Sequence, residues 1–301
     1  MENSFLGILG YSDDNILLAP SIEALQDMLN ICEKYAASHG LKFSTDPNPN
    51  KSKTRCLAFL QRERNLRPVL LCGNKLPWIA SCKHLGNTIV TKELAENGDI
   101  RSQDVKIKRG QFINKTNELI QEFYFAHPRT IASVNMLQNS HFYGSVLWKH
   151  GTRHVEMLEK SWNVAIRRIF GLPRTTHRYL IEPVSSQNHA KRMMNKRFLS
   201  FVQSVRKSHK SCLRNLLKVI EYDTRSVTGN NLRTLMLAAG TDNIKTLVSK
   251  HAEIDYFAVP VGEEYRVDFI KELIEVKNNT MEVDGFENEE LDEILSFLCV
   301  S

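Results

Sequence analysis

The sequence predicts an α+β fold, with a small β-rich region first and a longer helical region after it. Three observations lead there. Two apolar runs flank a polar turn within residues 5–18, and short strand-like segments separated by turn residues continue to about residue 90. From residue 99 onward, apolar residues recur three and four apart over long stretches, the period of amphipathic helices. Basic side chains gather in that helical part.

Residues 5–18 read Phe-Leu-Gly-Ile-Leu-Gly-Tyr-Ser-Asp-Asp-Asn-Ile-Leu-Leu. One apolar run leads into the tip Tyr11-Ser12-Asp13-Asp14, and Ile16-Leu17-Leu18 leads out, so a hairpin is expected. Pro20 punctuates the chain, Ser21 can N-cap a helix beginning at Ile22, and Glu23 suits its first turn. Ile22, Leu25, Met28, Leu29, Cys32, Tyr35 and Ala36 share one helical face, and Gly40 stands where a left-handed residue would stop the helix. Residues 41–43 read as a short strand, and 45–50, with Pro47 and Pro49, as a loop. Strands are expected over 54–60 and 69–72, with Gly73-Asn74 as a turn and a further strand in 82–90.

In the helical part, Val105, Phe112, Leu119, Ile120 and Phe123 form one seam, with Lys106, Lys108, Arg109 and Lys115 around much of the rest. Val155, Leu158, Trp162, Ala165, Ile166 and Ile169 form a cleaner one, ended by Gly171 and Pro173, with Lys160, Arg167 and Arg168 outside. A third helix places Ala190, Met194, Phe198, Phe201 and Val205 inside. Its outer face carries Lys191, Arg192, Lys196, Arg197, Arg206 and Lys207. These stripes are read as core. Residues 223–231 read as a polar loop and 232–239 as a short helix. In the acidic tail, Leu291, Ile294, Leu295 and Leu298 could line a helix face. The tail is expected either to be partly disordered or to fold back on the basic middle. The expected division is 1–95, 96–220 and 221–301.

The 301 residues, 42% of them hydrophobic, suffice for one large domain or two small ones. No apolar stretch approaches the roughly 18–20 residues of a membrane span, and the start lacks a basic signal-peptide region. An intracellular protein without a membrane partner is therefore expected. The six cysteines form no C-x-x-C pair, which points to free thiols and away from a zinc ribbon. Cys82-x-His84 is a lone pair of potential ligands. The net charge of +6 hides an asymmetry. Residues 1–100 carry 11 basic and 11 acidic side chains, 101–218 carry 22 and 6, and 219–301 carry 7 and 17. The middle segment thus stands at +16, the footprint of a polyanion partner and more than solubility requires.

Chemistry gathers at the hairpin tip. Adjacent carboxylates repel, and burying them would cost several kcal/mol, on the order of other uncompensated buried charges. A divalent metal, which takes carboxylate oxygens, would relieve this. A solvent-exposed turn is the alternative.

The motifs, taken in order, resemble the back half of the reverse transcriptase of a LINE-type (non-LTR) retrotransposon. Gly10-Tyr11-Ser12-Asp13-Asp14-Asn15-Ile16-Leu17-Leu18 is similar to that family's Asp-Asp box, with Ser12 in place of the usual Ala. The amphipathic helix ending in His39-Gly40-Leu41-Lys42-Phe43, followed by Asn50-Lys51-Ser52, looks like the next motif. Lys83-His84-Leu85-Gly86-Asn87-Thr88-Ile89 looks like the Leu-Gly hairpin called the primer grip. The stretch from Trp162 through Ile169-Phe170-Gly171-Leu172-Pro173 to Thr176-His177-Arg178 resembles the helical region beyond the polymerase. The likeness covers about residues 3–240.

The resemblance implies a partial right-hand polymerase palm (hairpin, helix and small antiparallel strands) followed by a helical thumb. It implies nucleotidyl transfer with two Mg²⁺ ions about 3.5–4 Å apart. Asp13 would be a metal ligand, Asp14 its support, and Tyr11 a neighbour of the nucleotide or primer end. Lys51 would neutralise or protonate pyrophosphate, unless it is an ordinary loop lysine. Leu85 and Gly86 would shape the turn at the primer end. Lys106, Lys108, Arg109, Lys115, Lys160, Arg167, Arg168, Lys191, Arg192, Lys196 and Arg197 would lie along the phosphates of an RNA template and DNA primer, or of their hybrid.

The family's other metal-bearing strand and its fingers lie upstream of the Asp-Asp hairpin. The chain is therefore expected to be a truncated copy that does not polymerise alone, with Mg²⁺ bound only if the missing half is supplied. An unpaired apolar hairpin edge could then pair with another chain. A non-catalytic nucleic-acid-binding remnant is the alternative, and a helical scaffold with protein partners only is a third.

Overall fold

The computed structural model describes residues 7–48, 51–59, 66–96, 98–137, 142–186, 189–223, 225–250, 264–280 and 292–293. Phe5, Asn50, Leu60 and the expected face of Leu291, Ile294, Leu295 and Leu298 lie outside these residues. The chain divides into two units, Met1–Ile100 and Arg101–Ser301.

The described strands of the first unit form three antiparallel hairpins. They are β1 (Ile8–Tyr11) with β2 (Asp14–Leu17), β3 (Val69–Leu71) with β4 (Asn74–Leu76), and β5 (Ser81–His84) with β6 (Asn87–Val90). Each is a two-stranded sheet of its own. Two of the turns place successive residues in the left-handed region, Cys72 and Gly73 at φ 51° and 76°, and Leu85 and Gly86 at 46° and 77°. That backbone twist suits a two-residue hairpin, and glycine fills the second position at no steric cost. The turn expected at Gly73-Asn74 therefore falls one residue earlier. The single strand expected in 82–90 is a hairpin about Leu85-Gly86. Residues 41–43 and 54–60 do not form strands among the described residues. Cys56 instead makes one isolated bridge with Trp78, through Cys56 N–H to Pro77 O at 2.9 Å and Ile79 N–H to Cys56 O at 2.9 Å.

Helix α1 spans Ile22–Ser38, and the Ser21 hydroxyl accepts from Ala24 N–H at 3.1 Å. It ends as Gly40 predicts. Gly40 has φ 68°, its N–H reaches Ala37 O at 3.1 Å, and Leu41 N–H reaches Ala36 O at 2.8 Å. The helix lies on β3 and satisfies the backbone along it. Gln26 accepts from Leu70 N–H at 2.8 Å and donates to Leu70 O at 2.9 Å, while Glu33 accepts from Cys72 N–H at 3.1 Å. An open strand edge is a template for unwanted pairing, and these two side chains block it. Leu29, Cys56, Val69, Leu71 and Leu76 form the small core beneath, with Leu17, Ile22 and Leu25 packed against it. Tyr35 departs from the expected face. It is exposed, with its ring 4.3 Å from that of His39.

The described elements of the second unit are helical. They are α2 (Ser102–Glu122), α3 (Pro128–Leu137), a 3₁₀ turn (Ser145–Leu147), α4 (Arg153–Ile169), α5 (Arg178–Ser185), α6 (Ala190–Lys207), α7 (Ser211–Tyr222), α8 (Val227–Ala238), α9 (Ile244–Lys250) and α10 (Glu264–Thr280). The coarse α+β class is thus as expected. Helices α2 and α4 run alongside each other around an aromatic centre. Phe112 stacks on Trp162 with ring centroids 5.4 Å apart, and Phe142 meets Trp162 edge-on at 5.7 Å. Trp148, fully buried, donates its indole N–H to buried Asp104 at 2.9 Å. Helix α10 adds Val267, Ile270, Leu273 and Ile274 to this core, and Glu275 pairs with Arg129 at 3.2 Å and His127 at 3.5 Å. This stretch of the acidic tail folds back on the basic segment.

A second core joins α6 to α9 through Phe198, Leu199, Val202, Leu217, Leu232, Leu235, Ile244 and Leu247. Leu199 and Val202 take inner places on α6, whereas Phe201, expected inside, is on the surface. Phe123 at the end of α2 is likewise at the surface. The loop expected over 223–231 is cut short, because Ser226 caps α8 by accepting from Gly229 N–H at 3.0 Å. Gly229 is required there. A Cβ would lie 2.2 Å from Asp223 O and 2.6 Å from Ile220 O, both backbone atoms at the end of α7. Gly229→Ala is expected to destabilise the fold by about 2 kcal/mol, as overpacking does. Urea denaturation followed by circular dichroism should show the lower midpoint, and an unchanged one would contradict this close approach.

Candidate metal hairpin and nucleic-acid interface

Ser12 and Asp13 form the turn of the first hairpin, with Ser12 at φ 55°. Asp14 opens β2 directly opposite Tyr11, and all four tip residues are exposed. The Asn15 amide donates to Asp13 O at 3.4 Å. Gly10 is packed under the Asn15 side chain, where a Cβ would come within 3.0 Å of Oδ1. Strand β1 pairs with β2 alone among the described residues, and Ile8 and Leu9 on it are each 48% exposed. In water, the repulsion between neighbouring carboxylates is small, because the dielectric is high. Exposure therefore leaves little repulsion at the tip for a cation to relieve.

Asp13 and Asp14 have the oxygen chemistry Mg²⁺ prefers, but they are two groups on one turn. Among the described residues, no cluster of three or more His, Cys, Asp or Glu side chains could hold a metal ion. The donor set does not by itself fit the two-ion site that the resemblance implies. Lys51 is exposed, with its N–H donating to Asn48 O at 2.9 Å. Leu85 and Gly86 form their turn, and the Asn87 amide donates to Leu85 O at 3.1 Å. Among the described residues, no hydrogen bond or ion pair joins Lys51 or the Leu85-Gly86 turn to the Asp13-Asp14 tip.

The basic residues of the second unit separate into two sets. Several hold helices together. Arg109 donates to the Ser161 hydroxyl at 2.7 Å and Arg168 to Asn117 at 2.5 Å, tying α2 to α4 at two levels. Arg167 donates to Thr176 O at 2.6 Å, Lys115 pairs with Glu118 at 2.9 Å, and Arg192 pairs with Glu182 at 3.3 Å. Arg197 sits 5.8 Å from the Phe142 ring centroid, and burial pushes its guanidinium below the usual value. Lys106, Lys160, Lys191 and Lys196 are exposed and Lys108 is half-buried. Of the lysines expected on phosphates, Lys108, Lys160 and Lys196 are left without an ion pair among the described residues.

A buried polar cluster links the two cores of this unit. Asn231, fully buried, accepts from His150 N–H at 2.9 Å and donates to Trp148 O at 2.8 Å. The His150 ring lies edge-on to Phe198, and burial, with Lys191 nearby, lowers its pKa to about 4. His189 caps α6, accepting from Lys191 N–H at 3.3 Å. Burial, followed by the charges of Arg178, Lys191 and Arg192, lowers its pKa to about 4 as well. Burial thus keeps both rings neutral near pH 7.

One feature of the surface was not singled out by the sequence. A cleft of about 490 Å³ opens between the last turn of α6 and helix α9, lined by Gln203, Arg206, Lys207, Lys245, Val248 and Ser249. Residues 201–218 contain five basic side chains and no acidic one, the signal that could have marked it. No known family model, curated protein or solved structure matches this chain.

Proposed function

We propose that the chain derives from the reverse transcriptase of a LINE-type retrotransposon and that its own activity is to grip nucleic acid through the phosphate backbone. The charge of +16 over residues 101–218, carried on helices whose inner faces are apolar, is the observation that carries the binding reading. The order of the Tyr11–Asp14 hairpin, α1 with its Gly40 stop and the Leu85-Gly86 hairpin supports the descent, and with it a palm-and-thumb layout. An RNA–DNA hybrid, or an RNA template with a DNA primer, is the partner this descent suggests. Asp13 and Asp14 become a metal site only with a further carboxylate, which a strand added along the open edge of β1 could bring. No catalytic step is assigned to the described residues alone.

Two measurements test this. A primer-extension assay with Mg²⁺ should show no template-dependent synthesis, and synthesis abolished by Asp13→Ala would overturn the non-catalytic reading. Binding to a labelled hybrid should weaken linearly in log–log salt plots and be indifferent to sequence and to Asp13→Ala. Replacing Lys108, Lys160 and Lys196 together by Gln should reduce the salt slope by roughly 2–3, one phosphate contact per lysine. A parent chain that fails to bind at low salt sinks the proposal.

A further inference from the structure

We propose that the cleft between α6 and α9 is a phosphate-binding site, separate from the lysines on α2, α4 and the first half of α6. Its lining is built from two helix faces. Gln203, Arg206 and Lys207 lie three and four residues apart on α6, and Lys245, Val248 and Ser249 repeat that spacing on α9. Three cations therefore converge on one concavity, and no carboxylate lines it. Among the described residues, none of the three cations makes an ion pair.

Like charges sharing a cleft repel weakly through water but more strongly along its low-dielectric protein wall, so the arrangement calls for a reason. Arg206 and Lys207 have a partial one, since they occupy the last turn of α6, where cations favour the helix dipole. Lys245 has none. It stands in the first turn of α9, the wrong end for a cation. An anion with several negatively charged oxygens would offset the repulsion, and the Gln203 amide adds neutral hydrogen-bonding capacity at its rim. The hydrophobic contacts of Val205 and Val248 with the second core hold the two helix faces in place. Phosphate groups fit this chemistry best, because guanidinium and ammonium groups bind them by charge-assisted hydrogen bonds.

The phosphates could belong to a nucleic-acid backbone or to a free polyphosphate. The first source rests on the proposed nucleic-acid grip, and the second does not. The test uses the full chain, inorganic tripolyphosphate and a single-stranded homopolymeric oligonucleotide, each titrated at several salt concentrations. The variant carries Arg206→Gln, Lys207→Gln and Lys245→Gln, with Lys245→Gln alone as a second variant at an exposed side chain that leaves the fold unchanged. The triple variant should lose at least tenfold in tripolyphosphate affinity, and its oligonucleotide salt slope should fall by roughly 2. Loss with tripolyphosphate alone assigns the cleft to a free polyphosphate, and loss with the oligonucleotide alone assigns it to backbone phosphate; either supports the site. A parent chain that binds tripolyphosphate but no oligonucleotide defeats the nucleic-acid reading while leaving the cleft. Affinities of both variants within twofold of the parent for both probes overturn the proposal, as does a parent that binds neither.

Discussion

Trp162→Ala is expected to destabilise the second unit by about 3–5 kcal/mol, the range seen when a large aromatic is removed from a packed core. Trp162 is 1% exposed and is the hinge of the aromatic centre, stacked on Phe112 and met edge-on by Phe142. Three of the contacts that join α2 to α4 meet around it: the stack itself, Arg109 to Ser161, and Arg168 to Asn117. A cavity there cannot close easily, because its walls are helices fixed at both levels by those hydrogen bonds. Urea unfolding followed by far-UV circular dichroism is the measurement, and a loss below about 1 kcal/mol would contradict this packing. Trp162→Phe keeps most of the ring and should lose less than half as much. The same variants connect packing to binding. Lys108 and Lys160 ride on these two helices, so the alanine variant should lose nucleic-acid affinity at the temperature where its helices melt.

The sequence shows most where one physical signal dominates. The seam of α4 was legible in full, since Val155, Leu158, Trp162, Ala165, Ile166 and Ile169 are all buried, and α1 begins at the expected Ser21 cap and stops at the expected Gly40. It shows less where helices are short or mixed in composition. Helix α5 contains Pro183, and α8 begins in Thr228-Gly229-Asn230-Asn231, a run of turn-forming residues. There the Ser226 cap and the burial of Asn231 override local propensity. Edge cases on amphipathic faces also misled. Tyr35, Phe123 and Phe201 match the helical period, but each falls at the border of its stripe, where periodicity cannot tell a core wall from a surface.

The candidate site was less legible than the fold. Spacing could mark Asp13 and Asp14 but not whether a third carboxylate lies beside them, since that depends on which strand pairs with β1. Counting charge located the basic segment, but it could not separate lysines free to meet phosphate from arginines engaged in packing. Arg109, Arg168 and Arg192 were expected on phosphates, and they bond Ser161, Asn117 and Glu182. Guanidinium groups make directed, multiple hydrogen bonds and so serve readily as ties between helices. An ammonium on a flexible stem does so less. On this chain the residue type divides much of that work, with Lys108, Lys160 and Lys196 left without an ion pair among the described residues.

Acid should weaken the second unit well above the pH at which ordinary carboxylates titrate. His150 and His189 stay neutral in the folded chain until about pH 4, whereas in the unfolded chain they take up protons near 6.5. Between those values the unfolded state binds more protons, so stability falls as pH drops through the window and recovers as pH rises through it. Above pH 6.5 both states hold neutral rings and the effect vanishes. By pH 4 each histidine has removed about 3 kcal/mol, at about 1.4 kcal/mol per unit of displacement. Glu159 opposes this over its own range. Burial holds its carboxyl above the usual value, so the folded chain takes up that proton first. The interval from pH 6.5 to 5 separates the histidines from carboxylates with ordinary values near 4, which contribute little there. Urea midpoints at pH 7.0, 6.0 and 5.0 should decline steadily, and His150→Gln should flatten that decline by about half, one of two histidines being removed. A midpoint constant from pH 7 to 5 in the parent chain would show that neither ring is shut away from protons. The link from Asn231 to His150 would then open to water more readily than its burial implies, and the tie between the two cores would be the weak point of the unit.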